Sequence, residues 1–164
     1  MEQLKVYGFE MARISEVYLS TLSNIMKPYG INRYFTALVH LCENSGKLSQ
    51  KDLALALRKD KVSTMRMVDY LSDKELLVRK QDSHDRRCQL LEVTEKAMTL
   101  LPILKSAIAQ TNDLLFRDFS EEEKDHFQSS MNKLYTTIGN MPEPEFIVKA
   151  HKRKNKKNED IRST

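Results

Sequence analysis

Two groups of side chains in this 164-residue chain have the types and spacing for recognising a nucleic acid. The first lies in the run 61–66, Lys61-Val62-Ser63-Thr64-Met65-Arg66; the second in the run 82–87, Asp82-Ser83-His84-Asp85-Arg86-Arg87. A guanidinium is a planar fork of donors that pairs bidentately with guanine or with phosphate, so Arg66 is a candidate base reader. Lys61 offers a point charge for phosphate. The hydroxyls of Ser63 and Ser49 can reach a base or a phosphate, whereas Val62 and Met65 can offer only apolar contact, for example to a thymine methyl. An arginine on a narrow loop, Arg86 or Arg87, suits the negative potential of a minor groove. Asp85 cannot favour DNA directly, and its expected role is to fix a neighbouring guanidinium. His84 reads as a solvated side chain.

The elements around these residues are readable from spacing. Ser49 can cap a helix, with Asp52 three residues on in the manner of a capping box. Leu53, Ala54 and Leu57 then share one face of that helix. Arg58-Lys59-Asp60 is a break, and Asp60 can cap a second helix from Lys61 to about Lys74. Thr64, Met67, Val68 and Leu71 form its inward face, leaving Lys61, Val62, Ser63, Met65, Arg66 and Asp69 outward. Residues 76–81 and 88–93 read as two strands joined by the polar run 82–87. A helix-turn-helix followed by a basic hairpin can set one helix in a major groove with a loop beside it.

This arrangement resembles the MarR family of winged helix-turn-helix transcription regulators. The resemblance is carried by 48–53 (LSQKDL), 66–71 (RMVDYL), the wing Asp85-Arg86-Arg87 and 91–96 (LEVTEK). The wing fits the family's Asp-x-Arg pattern, which gives Asp85 and Arg87 those roles and leaves Arg86 as the variable position. The resemblance implies a homodimer on a pseudo-palindromic operator, repressing in the expected mode and released by a small ligand or by oxidation. It also implies an effector pocket in the hinge between the dimer helices and the winged domain, for which Met26, Tyr29 and Tyr34 are candidates. This chain departs from the pattern at Glu75, where the family often has glycine, and at Val62 and Met65, where small polar residues are common.

The rest of the chain reads as a scaffold. Tyr7, Met11, Ile14, Tyr18, Leu22 and Ile25 make one apolar stripe, and Phe127, Met131, Leu134 and Ile138 another, after a capping box at Ser120–Glu123. Leu101, Leu104, Ile108 and Leu115 are expected to share a face of a long intervening helix that tolerates Pro102 near its start. The expected fold is therefore mainly α with a small β-hairpin wing: a winged helix-turn-helix at 44–93 and a helical dimerisation region from both chain ends, 1–43 and 94–141. A basic tail at 142–164 is too poor in apolar residues to build a core and is expected to be disordered.

Charge follows this division. Residues 44–89 hold 11 Lys/Arg against 7 Asp/Glu and residues 143–164 hold 7 against 4, whereas 90–142 hold 5 against 8. The positive excess thus sits on the reading head and tail, as expected of a phosphate-binding surface. No apolar run approaches the roughly 20 residues that span a bilayer, and the N-terminus lacks the plan of a signal peptide, so the cytoplasm is the expected location. Cys42 reads as a core thiol, and Cys88, after two arginines, as the more electropositive of the two. His40 and Glu43 lie one helical turn apart without a third ligand, so neither metal nor cofactor is expected. The chain carries no nucleophile elbow, P-loop or dinucleotide fingerprint, and an enzyme is not expected. A second reading stays open at this level: a winged helix used as a protein-interaction or scaffolding module whose basic face serves an acidic partner.

Overall fold

The computed structural model describes residues 6–83 and 88–139. The wing tip at 84–87 and the tail from residue 140 onward lie outside the described residues. Contacts divide the chain into two units that meet at Asp118/Phe119.

The first unit runs α1 (Tyr7–Met26), a 3-10 turn (Lys27–Tyr29), α2 (Phe35–Glu43), β1 (Leu48–Ser49), α3 (Gln50–Ala56), α4 (Lys61–Asp73), β2 (Leu77–Gln81), β3 (Gln89–Val93) and α5 (Glu95–Leu115). The strands form an antiparallel sheet in the order β1-β3-β2. Leu77 faces Val93 and Gln81 faces Gln89 across the wing. The two hairpin strands fall within one residue of their sequence-based bounds. The two-residue β1 does not: Leu48 pairs with Leu91 and Ser49 with Leu90, so the residue that caps α3 also anchors that helix to the wing.

Both helices of the helix-turn-helix start where side-chain chemistry dictates. The Ser49 hydroxyl accepts from the Asp52 N–H, and the Asp52 carboxylate accepts from the Ser49 N–H at 2.9 Å, a complete capping box. Asp60 caps α4 by accepting from the Ser63 N–H at 2.8 Å. Arg58, at φ +48°, turns the chain between them. α4 ends in a Schellman arrangement: the Glu75 N–H donates to Ser72 O at 2.8 Å and the Leu76 N–H to Leu71 O at 2.9 Å. Leu71 and Leu76 are both buried, supplying the apolar contact of that motif. Glu75 takes the left-handed position itself, at φ +60°. The turn keeps its geometry without glycine, so the departure at Glu75 changes the chemistry of the turn and not its shape.

One core serves this unit. Leu22 and Met26 from α1, Leu38 and Leu41 from α2, Leu53 from α3, Val68 and Leu71 from α4, Leu77 and Leu91 from the wing and Leu104 from α5 are all at most 2% exposed. The buried face of α4 is Thr64, Met67, Val68 and Leu71, as the sequence pattern predicts. α5 differs. Its buried residues are Ala97, Leu100, Leu104, Ala107 and Thr111, while Leu101 and Ile108 are half-buried and Leu115 is exposed. Small residues at 97, 107 and 111 let the helix lie close against its neighbours, and a search for large apolar side chains passes over them. The helix continues through Pro102.

The stripe on α1 splits in two. Leu22 is in the core and Tyr18 and Ile25 pack against it, but Tyr7, Met11 and Ile14 are exposed at 60%, 49% and 53%. The second unit consists, among the described residues, of α6 (Glu121–Gly139), opened by the Ser120–Glu123 capping box. None of its described residues is buried; Phe127, Leu134, Tyr135 and Ile138 are apolar and exposed.

Candidate nucleic-acid interface

α4 is held on three sides. Its inward face joins the core. On one flank, Asp69 accepts a charge-assisted hydrogen bond from Arg79 of β2, 2.5 Å away. On the other, the Tyr70 hydroxyl donates to the Asn32 side-chain oxygen at 3.0 Å and accepts from the Asn32 N–H at 3.1 Å, tying α4 to the segment between α1 and α2. Tyr34 meets Tyr70 edge-on at 5.3 Å between ring centroids, and the Arg33 guanidinium lies 4.5 Å from the Tyr70 centroid. These ties fix the side of α4 that stays free.

That free side begins at the helix N-terminus. Lys61, Val62, Met65 and Arg66 are exposed, while Ser63 is half-buried. Among the described residues, neither Lys61 nor Arg66 has a salt-bridge partner. The Ser63 hydroxyl donates to Asp60, which holds the Asp60 carboxyl below the usual aspartate range. The Ser49 hydroxyl is committed in the same way: it donates to Asp52 at 2.6 Å, and that hydrogen bond depresses the Asp52 carboxyl. Both serines predicted as contacts are therefore first of all parts of helix caps. The chemistry left open on the first two turns of α4 is two cations and two apolar side chains.

Asp85, Arg86 and Arg87 lie outside the described residues. The base of the wing below them is ordered by pairing: the Asp82 N–H donates to Cys88 O at 3.0 Å, and Lys80 pairs with Glu92 at 3.0 Å.

The three candidate pocket residues have different surroundings. Met26 is fully buried in the core, and Tyr34 packs on Tyr70. Tyr29 lines a recess of about 390 Å³ with Ile25, Pro102, Ile103 and Gln110. A second recess, of about 380 Å³, is lined by Lys27, Arg33 and Lys74 together with Asn32 and Tyr70, and none of its lining residues is acidic. Spacing in the sequence missed this grouping, because Lys74 meets Lys27 and Arg33 across a tertiary contact between α4 and the segment before α2. It also missed the Asp69–Arg79 pair; the available signal was an acid on the outward face of α4 and a base in the strand three residues beyond it.

Cys42 is buried, and burial pushes its thiol above the usual range, reinforced by Glu43. That favours the unreactive protonated form. Among the described residues no three His, Cys, Asp or Glu side chains are grouped to hold a metal, and no helix is long and apolar enough to cross a membrane.

A three-stranded wing against two capped helices, the second presenting cations and apolar side chains from its first turns, defines a winged helix-turn-helix protein. The MarR family model matches residues 31–87, from the segment just before α2 to the wing, so that stretch is similar to MarR-family proteins. Solved structures agree over most of the length. A MarR transcriptional regulator from Methanosarcina mazei Go1 is 25% identical, covering 82% of this chain and 98% of its own, at a TM-score of 0.73. MepR of S. aureus, solved as a DNA complex, is 20% identical over 82% of this chain and 99% of its own, at 0.74. CouR of Rhodococcus jostii RHA1, solved bound to p-coumaroyl-CoA, is 22% identical over 84% and 94%, at 0.69.

Proposed function

We propose that this chain is a sequence-specific DNA-binding transcriptional regulator, a repressor that acts as a homodimer on a pseudo-palindromic operator and is released by a small ligand. The observation that carries the reading is the free side of α4. Lys61 and Arg66 stand exposed, without a salt-bridge partner among the described residues, on a helix held by its core face, by Arg79 and by Asn32. Asp69 is paired with Arg79 and Asp60 is held in the α4 cap, so Lys61 and Arg66 are the charges of this helix start left to meet phosphate on a preorganised surface.

Dimerisation is supported by the exposed apolar residues of α1. Val6, Tyr7, Phe9, Met11, Ile14 and Val17 are each about half exposed or more along one helix, a run that soluble monomers rarely leave open. A second copy of this helix is the occupant that also supplies the two-fold symmetry of an inverted repeat. Release by a ligand is supported by the recess lined by Lys27, Arg33 and Lys74, which suits an anionic molecule. MepR in complex with DNA and CouR bound to a coenzyme A ester are relatives of this fold in which the two kinds of partner occur.

The test is selection of bound duplexes from a random pool at low and moderate salt, with the mass of the free protein measured by light scattering. An enriched inverted repeat that survives moderate salt, bound by a dimer, supports the reading. Binding without enrichment that vanishes as salt rises is phosphate attraction alone. That result would put a protein-interaction module in its place.

A further inference from the structure

We infer that Val62 and Met65 read thymine methyl groups, so that the chain's sequence preference is set in large part by apolar contact. The inference rests on the proposed DNA-binding role of α4 and assigns the chemistry of its readout.

On a reading helix that enters a major groove by its N-terminal turns, the side chains of those turns decide which base edges can be recognised. Here the polar capacity of those turns is largely spent. The Ser63 hydroxyl donates to Asp60, and the Asp60 carboxylate also accepts the Ser63 N–H. Thr64 is buried, and its hydroxyl donates to Asp60 O at 2.9 Å. Asp69 is held by Arg79. What faces outward is Lys61 and Arg66, with Val62 at 51% and Met65 at 45% exposure between them.

Neither apolar side chain is needed by the fold, because the core face of α4 is already filled by Met67, Val68 and Leu71. Left in water, both cost free energy; against a duplex, the apolar feature of the major groove is the thymine C5-methyl. Their spacing suits adjacent bases. Residues three apart on a helix are neighbours on one face, about 4.5 Å apart along the axis, and base pairs stack about 3.4 Å apart. Valine is rigid at χ1 and defines one position, whereas methionine adapts to its surroundings. The sharper thymine requirement therefore belongs to Val62. Lys61 and Arg66, on either side, hold the phosphates or a guanine and fix the register.

The experiment replaces each thymine of the selected duplex, one at a time, with deoxyuridine, which removes only the methyl group. Binding of the full chain and of its Val62→Ala and Met65→Ala variants is measured at one salt concentration. For the unaltered chain, deoxyuridine is expected to weaken binding by about 3- to 5-fold at one or two positions per half-site, the scale of one buried methyl. Val62→Ala should abolish the sensitivity at one such position and Met65→Ala at its neighbour. Both sites are exposed, so thermal melting should be unchanged and confirm that each variant is folded. A selected duplex that binds equally well with every thymine replaced overturns this inference while the regulator reading stands. A pool that yields no enriched sequence overturns both.

Discussion

Asp69, on α4, and Arg79, on β2, are joined by a charge-assisted hydrogen bond across the helix–wing junction. Their side chains are 50% and 33% exposed, so the pair contributes at most about 1 kcal/mol to stability. A tie between helix and wing strand is expected to act more on their relative orientation than on stability. Arg79→Ala should leave the melting temperature within a few degrees of the original while weakening binding to the selected duplex roughly tenfold. The exchange Asp69→Arg with Arg79→Asp should recover part of that loss. Thermal melts and fluorescence anisotropy on the same preparations check both; a variant that binds as well as the original removes the wing-positioning role.

Arg66 and Lys61 should differ in kind. Arg66→Ala is expected to cost about 1–3 kcal/mol of binding and to relax the preference at one base pair, as the loss of a bidentate base contact does. Lys61→Ala should weaken all duplexes alike and lower the slope of log affinity against log salt by about one, as the loss of a phosphate contact does. Titrations of matched and mismatched duplexes across a salt series separate the two.

The caps of α3 and α4 make the helix-turn-helix sensitive to acid. The Ser49 hydroxyl and N–H on Asp52, and those of Ser63 on Asp60, hold both carboxyls below the ordinary aspartate value of 3.8. A carboxyl with a lower pKa in the folded state adds stability above its unfolded value and loses it as pH falls through the folded value. The contribution of these caps should thus be complete near neutrality and fade below about pH 4. Ser49→Ala should cost about 1 kcal/mol at pH 7, the usual loss of a side-chain cap. It should cost less at pH 3, below the unfolded aspartate value, where the contribution of the Asp52 carboxylate is already falling in the parent. Urea unfolding at the two pH values measures the difference.

Glu75 occupies a left-handed position at φ +60°, and its side chain pairs with Lys96 at 2.8 Å. The backbone strain is intrinsic to a residue with a Cβ, whereas an ion pair this exposed offsets little of it. Glycine at position 75 should therefore raise the melting temperature by roughly a few degrees. Alanine, which keeps the strain and loses the pair, should lower it. The order Gly above Glu above Ala, read by calorimetry, is the check; Glu above Gly would mean that the Lys96 contact outweighs the strain.

The parts of this molecule legible in its sequence are those governed by local rules. The caps at Ser49, Asp60 and Ser120 act over three residues, and the core face of α4 follows from a 3-4-3 spacing. Contacts made by returning chain were not legible. β1 is only Leu48–Ser49, and it exists because Leu90 and Leu91 come back to pair with it. The buried face of α5 turns toward Ala97, Ala107 and Thr111 because closeness of approach, which no hydrophobicity pattern records, decides that contact. Met26 follows Leu22 by one turn, so its burial is open to the same spacing rule, and assigning it to a pocket passes over that. The outward set on α4 was legible as a set, but not the commitment of Ser63 to its own cap.

Asp69 and Tyr70 are consecutive in the chain, yet they tie α4 to different bodies: Arg79 of the wing and Asn32 before α2. Successive side chains leave a helix about 100° apart, so the two ties act on the cylinder from different sides. Any roll of α4 about its own axis slackens one tie only by straining the other. Together with the buried face of α4 the two ties oppose rolling, and Val62 and Arg66, on the same helix, share the azimuth they set. A displacement of the Asn32 segment would therefore load the Arg79 tie to the wing as well, through α4.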